Sequence, residues 1–365
     1  MDTRPSLQSA SYWSYHISRH HLSFGIFSYL TFSSLAYTAG NPTHDYFIGF
    51  VSSSQFLLAF WLVWIIVPLD DVRHERDTVH PREMPLLKRL HWAFCLDHNV
   101  RAIGWSHQVV YGPPRPQEMR WTFVRSRLIF ATWNFFLVDT ANTYIITVAE
   151  TTLSPASSLA MYSLHCSTIV AWVYVTYGIS NVQYSVLAAF SVAFDTSIPG
   201  DWHNVFGELA DAYTLRCFWG RFWHQNLRRL FAAFGIFIAR KLAFNRGTKA
   251  SSYTQLYVAF FLSGFIHSVA DGMVGWHWAG TSMPFFLMQA VAITAEDVTI
   301  ALCNRIGFRK RSFTTQLLGY AWVFAWGVYS FSMYRDLAIR AGWGWATKWA
   351  FSPTDIFYKL VVQVG

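Results

Sequence analysis

The sequence predicts an all-α integral membrane protein, a polytopic bundle of about seven to ten membrane helices, and three observations predict it. First, only 13% of the 365 residues are charged while 53% are hydrophobic, with a mean hydropathy of +0.24. A soluble domain carries about 25% charged residues. Second, the apolar residues come in runs of roughly the 20 residues that cross a bilayer as a helix. Third, Lys and Arg gather in particular connections rather than spreading along the chain. The same composition excludes a disordered chain, a disulfide scaffold and a collagen-like fibre.

Taken in order, the runs are Phe24 to Gly40, Tyr46 to Val67, Leu128 to Ala149, Leu159 to Ser180, Tyr253 to Gly272, Gly280 to Leu302 and Gln316 to Tyr334. Three further stretches are ambiguous between re-entrant, interfacial and tilted helices. Gln183 to Phe194 is short, Leu230 to Phe244 is interrupted by Arg240-Lys241, and Trp343 to Val364 is weakly amphipathic. The start of the chain is polar and His-rich and does not read as a cleavable signal peptide.

Loop charge sets the expected orientation. The segment from Pro68 to Arg127 carries Arg73, Arg76, Arg82, Lys88, Arg89, Arg101, Arg115, Arg120, Arg125 and Arg127. The loop from Arg305 to Arg311 is also basic, whereas Asn41 to Asp45 and Glu150 to Ser158 hold no Lys or Arg. The positive-inside rule therefore puts the N-terminus, the long loop and the Arg305 loop in the cytosol. We expect one membrane-embedded domain over residues 1–365, with 68–127 as a cytosolic charged loop carrying turn chemistry at His80 to Pro85 and Gly112 to Pro116. The two halves show no internal repeat, which counts against a transporter.

The net charge of +8 fits cytosolic loops beside anionic lipid, and no basic-aromatic motif points to nucleic acid. Cys95, Cys166, Cys217 and Cys303 form no CxxC pair, which argues against zinc. Walker A, GxGxxG, HExxH, GxSxG and paired NDxxD motifs are all missing.

Ionisable residues inside apolar runs are costly and are candidates for function. They are Asp139, His165, His267, Asp271, Glu296 and Asp297. His267 lies deep in YVAFFLSGFIHSVADGMVGW, after Ser263-Gly264, whose small side chains allow close helix approach. A neutral imidazole there suits proton abstraction from an alcohol; a packing histidine bonded to a neighbouring helix reads equally well. Asp271, one turn on, either orients His267 or marks the membrane exit. A second constellation runs from Asp211 to Arg229. Read as a helix, it puts Trp219 and Trp223 on one face and Arg221, His224 and Arg228 on another. Such a face suits the phosphates of an anionic cofactor, or serves only as a Trp/Arg belt that fixes depth.

Together these segments resemble a known family. FWGRFWHQ at Phe218 to Gln225 is similar to the signature of wax-synthase-like members of the membrane-bound O-acyltransferase (MBOAT) superfamily. LSGFIH at Leu262 to His267 resembles that family's buried-histidine helix, and RAIGW at Arg101 to Trp105 looks like an element of its fungal branch. That branch includes acetyltransferases of terpenoid and meroterpenoid pathways, and the resemblance covers roughly Arg101 to Arg311. Two positions depart from the pattern. Ser268 stands where a Glu often follows the histidine, and Trp202-His203-Asn204 stands for a Trp-Pro-Pro element.

The resemblance implies a membrane O-acyltransferase with His267 and His224 as catalytic residues. Arg221, Arg228, Arg229 and Trp223 would bind acetyl-CoA or another acyl-CoA, a co-substrate rather than a tightly bound cofactor. The acceptor would be a lipophilic terpenoid, meroterpenoid or sterol-like alcohol. The implied location is the endoplasmic-reticulum membrane, and no metal is required. Two alternatives stay open: a membrane terpenoid cyclase using a buried carboxylic acid, and a non-enzymatic transporter or lipid-binding protein.

Overall fold

The computed structural model describes residues 24–29, 31–33, 36–99, 101–108, 114–152, 159–307, 312–344 and 352–362. Among them the secondary structure is helical, with one isolated bridge between His74 and Trp105 and no strand. The expected span from Phe24 to Gly40 is helical at 24–29 and 31–33 and otherwise lies partly outside the described residues. The Gly112 to Pro116 turn, the Arg305 to Arg311 loop and the Trp343 to Val364 stretch also fall partly outside them.

Beyond the Phe24 to Gly40 segment, nine helices of ten residues or more organise the described residues: α1 Pro42–Phe60, α2 Leu86–His98, α3 Arg120–Thr152, α4 Leu159–Ala193, α5 Arg228–Lys241, α6 Lys249–Val274, α7 Met283–Arg305, α8 Phe313–Ala341 and α9 Pro353–Val362. Four stretches are long and apolar enough to cross a membrane among the described residues: Pro42–Ile65, Leu159–Ala193, Lys249–Val274 and Trp276–Arg305. They match four of the expected runs. No more than 39% of the residues in their apolar windows are buried inside the protein. The remaining apolar surface, Phe47, Leu187, Phe190, Phe261 and Val291 among it, is exposed. Water would penalise that surface at about 25 cal/mol per Å2, and lipid does not.

Local chemistry sets the helix ends. Asn41 caps α1 by accepting from the N–H groups of Thr43 and His44, with Pro42 supplying the preset first turn. Thr248 caps α6 through the Ser251 N–H. α8 begins at a Ser312–Thr315 capping box and ends at Gly342, whose φ of 79° only glycine adopts readily. α4 runs past the expected end at Ser180 and absorbs the ambiguous Gln183 to Phe194 stretch up to Ala193. Nothing there breaks it: Ser180 and Asn181 turn their side chains back to the carbonyls of Thr176 and Tyr177. At 35 residues it is about 52 Å long, so it projects beyond a hydrocarbon layer of about 30 Å.

The chain divides into two compact units. The first comprises residues 1–100, 105–107 and 230–283; the second comprises 101–104, 108–229 and 284–365. In the first, α1 packs along α6. Gly49 makes this possible, since a Cβ there would lie 2.8 Å from the Ala270 Cα. Ser53 adds an interhelical bond to the Ile266 carbonyl at 3.3 Å. In the second unit, α3 and α4 form a long hairpin. Phe123 and Val124 pack on Ala188, Ala189 and Val192, and Tyr174 donates to Asn134 at 3.2 Å. His165 on α4 bonds Ser332 on α8 at 2.9 Å, and Asp139 on α3 accepts the Thr354 N–H of α9 at 2.8 Å.

Candidate active site

His267 lies in the C-terminal part of α6, in the first unit, two turns before the helix ends at Val274. Its Nδ1 shares a short hydrogen bond with the phenol of Tyr46 on α1. Phe50, one turn further along α1, packs its ring 5.2 Å from the imidazole at 54°. The imidazole thus meets an aromatic ring and a phenol, both from another helix. Asp271 does not supply that contact. Its carboxylate accepts from the Ser282 N–H at 2.8 Å, the Ser282 hydroxyl at 2.9 Å and the Thr281 hydroxyl at 3.3 Å. It therefore fastens the turn that follows α6. Ser268 donates to the Gly264 carbonyl at 2.6 Å, satisfying itself within its own helix.

The other five candidates lie in the second unit, on a segment that is not the continuous helix the spacing suggests. Helix Leu215–Cys217 starts at Thr214, whose hydroxyl accepts from the Cys217 N–H. It passes into a π-turn over Phe218–Phe222, and Trp223 is then extended at φ −61°, ψ 155°. Two outside anchors fix this turn. Glu296 of α7 accepts the Leu215 N–H at 2.6 Å, and Asp297 takes the Arg216 guanidinium as an ion pair. The chain then runs beside residues 205–207, with Gly207 N–H to Phe222 carbonyl at 2.9 Å and Gln225 N–H to Val205 carbonyl at 3.0 Å. Gly207 is required by the closeness of the approach, because a Cβ would fall 2.2 Å from the Arg221 carbonyl oxygen. Backbone–backbone pairing and outside anchors outweigh helix propensity here. π-turns of this kind often sit at functional sites.

This turn divides the candidate side chains. Trp223 is buried in an aromatic cluster with Phe206, Phe218 and Trp219, so it packs rather than anchoring at a surface. His224 lies tilted at 45° against Trp223, with ring centroids 5.6 Å apart, and meets Phe206 edge-on at 6.1 Å. The residue as a whole is half-buried, and its Nδ1 is buried and meets no hydrogen-bond partner among the described residues. Desolvation holds this imidazole at about 4, well below its ordinary value, so it is neutral at physiological pH. Arg221 is exposed and lies 4.0 Å from Asp211. Arg228 donates to Gln225 at 2.7 Å, and burial pulls Arg229 down to about 10, which leaves it charged.

The RAIGW element gains a physical role. Arg101 donates to the carbonyls of His203 and Asn204, both at 2.8 Å, and to the Tyr184 hydroxyl at 3.2 Å. Arg127 reaches the Asn204 side chain at 3.0 Å and the Trp202 carbonyl at 3.3 Å. These two guanidinium groups clamp the Trp202-His203-Asn204 segment, which leads into the strand-like stretch paired with the His224 turn.

Sequence reasoning missed Tyr46. Among the 18 tyrosines it has no motif of its own, and its contact with His267 spans 221 residues of chain. Asp139 and Glu296 are buried among helices, and both accept backbone N–H groups. Among the described residues, no group of three His, Cys, Asp or Glu side chains is placed to hold a metal ion.

Comparison with known proteins bears directly on this arrangement. The profile of the membrane bound O-acyl transferase family matches residues 202–288, a stretch that contains both His224 and His267. The chain is 33% identical to acetyltransferase ple2 of Rhodocybe pseudopiperita, over 83% of this chain and 79% of that one. It is 30% identical to acetyltransferase eriL of Hericium erinaceus, over 90% of this chain and 86% of that one. Acetyltransferase TRI7 of Fusarium sporotrichioides is 30% identical over 64% of this chain and 60% of its own length. No solved structure matches significantly. With four apolar helices of spanning length among its described residues, the chain is an integral membrane O-acyltransferase that belongs to the membrane-bound O-acyltransferase family, in a branch of fungal acetyltransferases.

Proposed function

We propose that this enzyme transfers an acetyl group from acetyl-CoA to the hydroxyl of a lipophilic terpenoid, meroterpenoid or sterol-like alcohol, with His267 as general base. The observation that carries the reading is His267 itself: an imidazole within a helix of spanning length, two turns before its C-terminal end, with its Nδ1 bonded by a residue from another helix. In the step, His267 takes the hydroxyl proton while the alcohol oxygen bonds to the thioester carbonyl carbon. The C–S bond then breaks, and the proton passes to the departing thiolate. A positioned base contributes about 10²–10⁴ in rate, or about 3–5 kcal/mol of barrier. Alignment of the two substrates, away from water that would hydrolyse the thioester, supplies much of the rest.

His224, neutral and with a buried Nδ1, is assigned to polarise the thioester carbonyl. Arg221, exposed, takes the leading role in holding CoA phosphates, with Arg228, Arg229 and Trp223 as the further binding residues. The chain forms one membrane-embedded domain of about seven to ten membrane segments, with 68–127 on the cytosolic side and the endoplasmic reticulum as its membrane. Of the three acids the cyclase alternative would use, Asp139 accepts the Thr354 N–H, Glu296 accepts the Leu215 N–H and the Trp322 indole N–H, and Asp297 is paired with Arg216, which favours structural roles for them.

The test is transfer of label in microsomes given radiolabelled acetyl-CoA or long-chain acyl-CoA together with lipophilic alcohols. Label entering the organic phase from acetyl-CoA, with matching thiol release, supports the assignment. Transfer from long-chain donors alone overturns the choice of acetyl. An alcohol-dependent product formed without any thioester overturns acyl transfer.

A further inference from the structure

Tyr46 is not named by any motif, yet it makes the hydrogen bond from another helix to the imidazole of His267. The register that brings them together is built from close packing. Gly49 lies one turn after Tyr46 on α1 and seats against Ala270, one turn after His267 on α6. Ser53, a further turn along, bonds back to the Ile266 carbonyl. Phe50 closes over the imidazole, and the Tyr46 and His267 ring centroids lie 6.0 Å apart. Tyr46 is therefore fixed against one nitrogen, Nδ1, and not against the other.

A neutral imidazole carries one proton, and a hydrogen bond at one nitrogen decides where that proton sits. A base acting at Nε2 must keep its lone pair there, so its proton must reside on Nδ1 and needs an acceptor. The phenolic oxygen of Tyr46 is such an acceptor. If the proton sat on Nε2 instead, Tyr46 would donate to Nδ1 and Nε2 would be unable to take a proton.

From this geometry we infer that Tyr46 is a positioning residue that accepts the Nδ1–H of His267 and so makes Nε2 the nitrogen that deprotonates the acceptor alcohol. The inference rests on His267 being the base. During transfer Nε2 gains the alcohol proton, the imidazolium keeps its Nδ1–H bond to Tyr46, and Nε2 gives the proton to the thiolate sulfur as the C–S bond breaks. Tyr46 itself gains and loses nothing. Its contribution is orientation and tautomer, so it acts on turnover and not on the binding of either substrate.

The experiment compares wild type, Tyr46→Phe, Tyr46→His and His267→Ala as full-length protein in microsomes, measuring kcat and KM for acetyl-CoA and for the alcohol. Tyr46→Phe keeps the ring and removes only the oxygen. The expected result is a kcat lowered about 10- to 100-fold with both KM values within about twofold. Tyr46→His, which restores a polar ring atom, should recover part of the loss. Imidazole ¹⁵N spectra of labelled protein in detergent should show Nδ1–H in wild type and a shift toward Nε2–H in Tyr46→Phe. If Tyr46→Phe turns over like wild type while His267→Ala is inactive, the positioning role is wrong and the base assignment stands. If His267→Ala stays active, the base assignment itself fails. A Tyr46→Phe defect confined to KM, or unchanged imidazole signals, also overturns the inference.

Discussion

Gly49→Ala should lower both stability and turnover, although replacing a helical glycine by alanine ordinarily helps. Without tertiary contact the substitution gains up to about 1 kcal/mol of helix propensity. At this position the new methyl would sit 2.8 Å from the Ala270 Cα and 3.0 Å from the Met273 Cβ. Carbon atoms prefer about 3.5–4.0 Å, so α1 and α6 must separate by about 0.7 Å. Overpacking of this kind costs about 1–3 kcal/mol, which offsets the propensity gain and leaves a net loss of up to about 2 kcal/mol. The same displacement pulls Tyr46 from His267, and a misplacement approaching 1 Å can cost about 10²-fold in rate, so turnover should fall at least about tenfold. Gly327 on α8 is the control, since a Cβ there meets only Phe331 at 3.9 Å. Gly327→Ala should hold or raise the melting temperature and leave turnover intact. The assay is thermal unfolding in detergent beside acetyl transfer in microsomes. A Gly49→Ala protein that melts at or above the wild-type temperature with full turnover would refute the packing argument.

Three further outcomes are expected. Glu296→Gln keeps an acceptor for the Leu215 N–H and the Trp322 indole N–H, so acyl transfer should stay within about threefold of wild type; a collapse of activity would mean that this acid takes part in the chemistry. Arg101→Ala strips its hydrogen bonds from the His203 and Asn204 carbonyls and should destabilise the protein by about 2 kcal/mol, with Arg101→Lys failing to restore it because an ammonium cannot span both carbonyls from one plane. His224 is held neutral in the folded protein down to about 4, whereas an unfolded histidine takes its proton near 6.5. Its contribution to stability is therefore complete above about pH 6.5 and is lost as pH falls toward 4, a loss of the order of 3 kcal/mol. Melting curves of His224→Gln between pH 7 and 4.5 should fall less steeply than those of wild type, and parallel curves would contradict the burial of that imidazole.

The sequence spelled out the helices whose apolar runs are long, because about 20 consecutive apolar residues have few alternatives to spanning a bilayer. Tyr253 to Gly272 and Gly280 to Leu302 fall within a few residues of α6 and α7. The end of α4 was not legible, since Ser180 and Asn181 look like a stop until their side chains are seen bonded to the preceding turn. The segment from Asp211 to Arg229 misled for a different reason. Helical spacing there reflects local pattern, while the π-turn is imposed by Glu296, Asp297 and Gly207, all distant or neighbouring partners that a period cannot reveal. His267 was visible as an ionisable residue in an apolar run. Its partner was not: Asp271 has the helical spacing to orient it, but α1 delivers Tyr46 instead. Contacts between helices depend on which faces pack, and one-dimensional periodicity carries little of that information.

The most direct test of the account is the transfer of labelled acetyl from acetyl-CoA to a lipophilic alcohol by His267→Ala, measured beside wild type at matched levels of membrane-inserted protein. The account predicts that ester formation and thiol release both fall by about 10²–10⁴ in the variant while its melting temperature in detergent stays close to that of wild type. Ester formation at the wild-type rate by His267→Ala would contradict it.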